Sequence, residues 1–299
     1  MNVAQHGIFA QGTRAHYQLE FRVSPNATTD DIRAALSRLR EPTVTAGGLN
    51  VVIGFGVDLL RRIAPQLVPP EFAAFVAIEG PGGTAPSTQH DIWIWLHGTG
   101  HDIVLDAARA AAAALAPVAE LAAEQPGFVY RDSRDLTGFI DGTENPPVAE
   151  AHEVAVIPEG EVGAGGSYVI AMRWVHDLAA FHALAQPEQE DVFGRTKPDS
   201  IELDDDVKPP TAHIARVVVE DENGDELEIF RRSVPYGTVG EAGLSFLAFS
   251  ADLGRFEIML ARIFGTTGDG LSDRLLAFTK PVSGSFFFAP SIEALARIC

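Results

Sequence analysis

The sequence predicts an α+β protein built from two similar halves, with antiparallel sheets and helices on one face. Three observations carry that prediction. Segments of strand and helix character follow the order strand, helix, strand, strand, helix, and the order recurs approximately after the midpoint. With 299 residues, 46% of them hydrophobic, the chain can bury a core for one large or two medium domains. Between the halves, residues Pro146 to Gly166 include three Pro and four Gly, the composition of a connecting segment.

The first strand is expected over Arg14–Val23 and a helix over about Thr28–Arg40. Asn26 or Thr28 can cap that helix, and Asp30 and Asp31 place carboxylates in its first turn, where the helix dipole favours them. Leu49–Phe55 reads as the second strand. Asp91–Leu96 reads as a third, with Ile92, Trp93, Ile94 and Trp95 apolar on both faces. An alanine-rich helix is expected over about His101–Glu124, broken or kinked at Pro117. Val68–Pro70 and Glu79–Thr88 read as surface loops. In the second half, Ser167–Val175 is a strand and Asp177–Phe193 is helical. Glu226–Ser233 and Leu244–Ser250 are strands, Ala251–Phe264 a helix and Ser283–Phe288 a late strand.

Charge and cysteine usage narrow the function. A formal net charge of −19 argues against nucleic acid and against an anionic membrane surface. No apolar run approaches the roughly 18 residues that a membrane helix needs. Met1 to Thr13 lack the basic start and apolar core of a signal peptide. The single cysteine, Cys299, excludes an intrachain disulfide and a cysteine cluster for zinc or iron–sulfur. A cytoplasmic protein is expected.

The most informative run is Gly138-Phe139-Ile140-Asp141-Gly142-Thr143-Glu144-Asn145-Pro146, which follows the polar stretch Arg131–Asp135. Two glycines flank a carboxylate on a loop of turn formers, so the backbone can take angles closed to other residues and a ligand can approach it. A carboxylate held this way can serve as a positioned base; the plain alternative is a solvated Asp-Gly turn. His97 and His101 have a metal-chelating spacing, but Gly98 and Gly100 between them point to a turn. His213 precedes the apolar run Val217–Val219 and by itself reads as a polar residue at a strand start. Arg231 and Arg232 are adjacent in a strand, so one faces inward and needs an anion or strong acceptor.

The nine-residue run closely resembles the signature loop of the dye-decolorizing peroxidases, and the later His and Arg runs resemble that family's haem segments. The resemblance covers most of the chain and is strongest from Gly138 to Pro290; the compact length is similar to the bacterial B-type subgroup. It implies a duplicated ferredoxin-like fold, with units at 1–145 and 146–299, and one haem b per chain held mainly by the second. In that resemblance Asp141 is the distal acid–base residue, His213 the axial iron ligand and Asp273 the acceptor for its other ring nitrogen. Arg231 is the distal arginine, Arg232 its solvent-facing neighbour, and Ser233 lies on the same face as Arg231. Many family members carry Asn where this chain has Ser233, and a YfeX-like subset carries Ser. Arg195, Glu202 and Glu226 match positions at the haem edge. Leu247 and Phe249, on one face of their strand, are expected against the haem.

The implied activity is reduction of hydrogen peroxide with oxidation of dyes, phenolics or similar one-electron donors by way of a ferryl state. An unperturbed Asp ionises near pH ~4, so activity is expected to extend to acidic pH. Trp174, Tyr168 and Tyr236 are candidates for relaying electrons, against an ordinary core role for each. Two other classes fit the resemblance: a deferrochelatase-like haem-handling protein and a non-catalytic haem-binding module. A homo-oligomer is expected, without nucleic acid or membrane partners. Some B-type enzymes carry a C-terminal extension for encapsulin loading; this sequence ends at Cys299 soon after its last strand, so packaging is not expected.

Overall fold

The computed structural model describes residues 2–39 and 48–299. In the first half, strand β1 (Ala15–Val23) is followed by helix α1 (Thr29–Leu36), β2 (Asn50–Phe55) and α2 (Val57–Ile63). Thr28 caps α1: its hydroxyl accepts from the Asp31 N–H, and the Asp31 carboxylate accepts from the Thr28 N–H. The end of that helix as expected from the sequence, Arg40, lies outside the described residues. A short hairpin of β3 (Ile78–Gly80) and β4 (Gly83–Ala85) stands where a plain loop was expected. Then come β5 (Ile92–Gly98), α3 (His101–Leu115) and β6 (Ala119–Phe128). The expected long helix therefore stops at Leu115, and its final quarter, Ala119–Glu124, belongs to an edge strand paired antiparallel to β1.

The connecting segment contains a helix, α4 (Val148–Ala155). The second half comprises β7 (Ser167–His176), α5 (Leu178–His182), α6 (Gln186–Phe193), α7 (His213–Val217), β8 (Phe230–Arg231), β9 (Val234–Gly237) and β10 (Ala242–Ser250). It closes with α8 (Leu253–Phe264), β11 (Thr279–Pro281), β12 (Ser285–Ala289) and α9 (Ile292–Ile298). Two expectations change here. His213 begins a helix rather than a strand, and of the strand expected over Glu226–Ser233 only Phe230 and Arg231 join the ladder with β10.

Apart from the β3–β4 hairpin, the described strands form one antiparallel sheet in the order β6-β1-β5-β2-β12-β7-β10-β8, with β11 beside β7 and β9 beside β10. First-half strands occupy one side of that order and second-half strands the other. They join where Phe288 of β12 sits opposite Phe55 of β2. The sheet curls until its far sides face each other: Gln18 of β1 donates to the Ser245 hydroxyl of β10 at 2.8 Å. At the seam, β6 approaches β9 so closely that a Cβ on Gly127 would lie 2.6 Å from the Val234 side chain.

Strand alternation divides the core into two layers. The inner face carries Trp93, Trp95, Val169, Leu247, Phe249 and Phe287, closed off by Ile8 and by Ala151 and Ala155 of α4. The outer face carries Leu19, Ile53, Ile94, Ile170, Met172 and Phe286, covered by α1, α2, α3 and α8. Helices thus cover the outer face as expected, while α4 serves the inner one.

Candidate active site

A cavity lies on the outer face of the second-half strands, between β7 and β10 on one side and α7, α8 and the 270s segment on the other. Ile170, Met172, Trp174, Leu244, Phe246 and Phe256 give it a largely apolar wall. Leu244 and Phe246 occupy the cavity-facing positions of β10. Leu247 and Phe249 do not line it: they point to the inner face, where Phe249 meets Trp93 and Trp95. The expectation for that pair is corrected because the cavity takes the opposite set of alternate side chains.

His213 opens α7 at one wall. The N–H of Arg274 donates to the Thr211 carbonyl at 2.9 Å, which brings the 273 segment beside this helix. The Asp273 carboxylate then meets His213 Nδ1 at 2.6 Å through one oxygen, while the other accepts from the Leu275 N–H at 2.8 Å. Asp273 is only 3% exposed. Since a carboxylate can only accept, His213 Nδ1 donates to Asp273, which in the neutral ring leaves Nε2 as the nitrogen able to bind a metal. No protein group among the described residues hydrogen-bonds Nε2, and the ring lines the cavity. Reciprocal bonds between Arg216 and Arg262 and their neighbouring carbonyls, with Arg216 paired to Asp269 at 2.9 Å, lock α7 onto α8.

Asp141 and Arg231 also line the cavity. Asp141 sits on a loop in which Gly138 and Gly142 both take positive φ, 94° and 78°, as the flanking glycines suggested. Its N–H donates to the Ser133 carbonyl at 2.9 Å, and Arg134 bridges to Ile140 across the loop. Arg231 is aligned by a residue the sequence reading passed over. Asn145 Oδ1 accepts from the Arg231 N–H at 2.9 Å, and its amide donates to the Arg231 carbonyl at 2.8 Å. Asn145 is in the same nine-residue run, so the signal was available. Burial pushes the Asp141 carboxyl up to about 6; the Arg231 charge opposes this and the Asp135 charge adds to it. The carboxyl is enclosed by protein yet partly open to the cavity.

A second, polar cleft adjoins Asp141 and Arg231, lined also by Gln11, Arg14, His16, Arg232 and Ser233. Ser233 shares that cleft with Arg231 as expected from alternation, but its hydroxyl is tied to the backbone, accepting from the Leu247 N–H at 3.1 Å. Arg232 is not solvent-facing. Its guanidinium donates to the Ile8 and Ala10 carbonyls and lies 5.2 Å above the Trp95 ring. Burial lowers its pKa to about 10.

At the rim, Arg195 pairs with Glu144 and, at 3.6 Å, with Glu202. Arg195, Glu144 and Glu226 line the cavity; Glu202 stands behind Arg195 and also pairs with Lys208. Burial and the charges of Glu228 and Glu144 raise the pKa of Glu226. Of the three relay candidates only Trp174 lines the cavity; Tyr168 and Tyr236 are buried elsewhere. His97 is no metal ligand with His101: it is buried in β5, bonded to Thr13 and the Gly7 carbonyl. Among the described residues no group of three or more His, Cys, Asp or Glu side chains could hold a metal ion. No helix among them is long and apolar enough to cross a membrane.

An apolar cavity with an Asp-backed histidine at one wall and a carboxylate–arginine pair also facing it defines the site of a peroxidase of α+β architecture. The comparisons with known proteins name the family. Residues 5–129 match the model for the Dyp-type peroxidase N-terminal domain, and residues 132–294 the model for the C-terminal domain. The chain belongs to the Dyp-type peroxidase family. It is 39% identical over 250 residues to the dye-decolorizing peroxidase of Mycolicibacterium paratuberculosis, covering 83% of this chain and 71% of that one. A putative Dyp-type peroxidase from Shewanella oneidensis superposes with a TM-score of 0.93 at 34% identity, over 99% of both chains. A Rhodococcus jostii DypB variant in complex with heme gives 0.92 at 33% identity over 100% of both. An encapsulated DyP-type peroxidase from Mycobacterium smegmatis gives 0.91 at 33% identity, over 99% of this chain and 98% of that one.

Proposed function

We propose that this chain binds one haem b in the cavity beside His213 and uses it to reduce hydrogen peroxide while oxidising small organic one-electron donors. The observation that carries this reading is His213 Nε2, without a protein hydrogen-bond partner among the described residues, in a cavity that Asp141 and Arg231 also line. The residues present fit the group: apolar walls suit a porphyrin, His213 offers a nitrogen ligand, and Arg195 at the rim can pair with a porphyrin carboxylate. When bound, haem supplies the redox centre that gives two electrons to peroxide and recovers them singly from a donor.

The protein's own groups do the rest. Asp273 accepts from His213 Nδ1, fixing the tautomer and increasing electron donation from the ring. The Asp141 carboxylate takes the proton from one peroxide oxygen and delivers it to the other, so that water leaves. Arg231 stabilises the negative charge that builds as the O–O bond breaks, and Asn145 holds Arg231 in place. A haem store or sensor requires only His213 and the cavity; the Asp141–Arg231 pair favours peroxide chemistry. Ser233, fixed on the Leu247 backbone, borders the cleft behind the pair.

The test is stopped-flow absorption of the haem-loaded protein mixed with one equivalent of hydrogen peroxide. A rapid spectral change that a reducing dye reverses supports the reading, with the rate collapsing in D141N or R231L. A static or merely bleaching spectrum overturns it. We assign units 1–145 and 146–299, with His213 and Asp273 on the second, a homo-oligomeric state, and a cytoplasmic location, the last of which fits the lone cysteine. Separate expression of the halves, light scattering and cell fractionation test these points. Co-expression with a shell protein tests whether packaging, a property of the Mycobacterium smegmatis relative, extends to this chain.

A further inference from the structure

One buried carboxylate–imidazole contact in the cavity wall has no role in the chemistry above. Asp135 and Asp141 hang from the same loop, whose backbone closes with Asp135 N–H donating to the Phe139 carbonyl and Asp141 N–H to the Ser133 carbonyl, both at 2.9 Å. Both carboxylates line the cavity. Asp135 is 8% exposed and fully engaged: Oδ2 accepts from the Thr137 N–H and hydroxyl at 3.0 and 2.7 Å, and Oδ1 faces His176 Nε2 at 3.3 Å. His176 comes from β7 and is oriented by Thr279 of β11, whose hydroxyl lies 2.7 Å from Nδ1. A carboxylate buried in an apolar wall would ordinarily take up a proton. Here burial is outweighed by the His176 and Thr137 bonds, which hold Asp135 ionised. A fixed negative charge therefore sits on the Asp141 loop.

We propose that Asp135, kept ionised by His176, is a positioning residue that sets the pH range over which Asp141 works as a base. The inference rests on the role given to Asp141 above. The other titratable and charged groups around Asp141 are Arg231 of β8, His213 of α7, Glu226 and Glu228 before β8, and Arg195 and Glu144 at the rim on the cavity side, with Arg14, His16 and Arg232 on the side of the polar cleft. Arg134 and Lys197 stand behind the loop. Asp135 adds a like charge to this set, so removing it favours the ionised form of Asp141 and extends activity to lower pH.

The experiment uses the haem-loaded protein and two readouts: the acid limb of peroxide consumption against pH, and the infrared C=O stretch of protonated Asp141, assigned by its loss in D141N. D135N, which is isosteric, is expected to move both midpoints down by roughly one pH unit. H176L moves them the same way, because Asp135 loses its donor and takes up a proton; H176Q, whose amide can donate, restores the wild-type profile. Thermal melts identify any variant that fails to fold, and D135N then carries the test. Unmoved midpoints in folded D135N overturn the inference and leave the base assignment standing. If D141N itself keeps the wild-type rate, the base assignment falls and this inference with it.

Discussion

Burial lifts the Asp141 carboxyl to about 6, so at pH 7 it is ionised where its surroundings disfavour the charge. Two expected outcomes follow from that residue. A base works only when ionised, so peroxide consumption falls as pH drops through about 6, rather than persisting to the ordinary 3.8 of an aspartate. The pH profile of initial rates checks this. The stability effect has the opposite sign: the folded chain binds the Asp141 proton more tightly than the unfolded one, so its contribution is full below about 4 and is lost as pH rises through about 6. D141N removes that dependence and stabilises the protein at pH 7 by on the order of 1 kcal/mol, allowing for cavity water, as urea melts would show. Arg231 makes the complementary contribution. R231L is expected to lower kcat/KM for peroxide about 10²–10³-fold, because a donor aimed at developing charge is lost.

At the scale of elements, α7 and the turn after Asp273 form one unit, since Asp273 both caps its turn and orients His213. D273A is expected to destabilise the fold by about 1 kcal/mol through the lost cap, in thermal melts. D273N keeps the shape but not the charge, so its melt stays close to wild type while the haem reduction midpoint rises in spectroelectrochemistry. Several elements along the chain and the nine-residue loop were legible because strong local signals agree with the fold there: capping at Thr28, punctuation by Gly138 and Gly142, apolar runs in β5 and β7. Other elements were not legible for physical reasons. Ala119–Glu124 has helix-forming residues, yet pairing with β1 across Val23–Leu19 makes it a strand. In β10 both alternate sets are apolar, so nothing local could tell that Leu244 and Phe246, not Leu247 and Phe249, face the cavity. Asp135 and His176 are 41 residues apart and carry no spacing signal; only the β7 register brings them together.

Across the whole molecule, the inner layer of aromatic side chains ties both halves into one core, and the seam between β6 and β9 depends on an absent side chain. Gly127 has ordinary backbone angles, so its role is the close approach to Val234 and the Pro235 carbonyl. G127V is expected to cost about 1–3 kcal/mol by overpacking that contact. Because the layer is shared, calorimetry should still show a single, lowered transition; two separated transitions would mean that the halves melt independently.

The place of β12 in the sheet has a consequence for how the chain is made. This strand, formed by Ser285–Ala289, sits between β2 of the first half and β7 of the second. On the ribosome, both half-sheets therefore wait with open edges until residues 285–289 have emerged. Closure is a contact of very long sequence separation, which slows folding and prolongs exposure of the Trp93–Trp95 surface. Nascent chains arrested before Val282 should thus remain sensitive to protease across the first half, and release of the remaining residues should confer protection on both halves together.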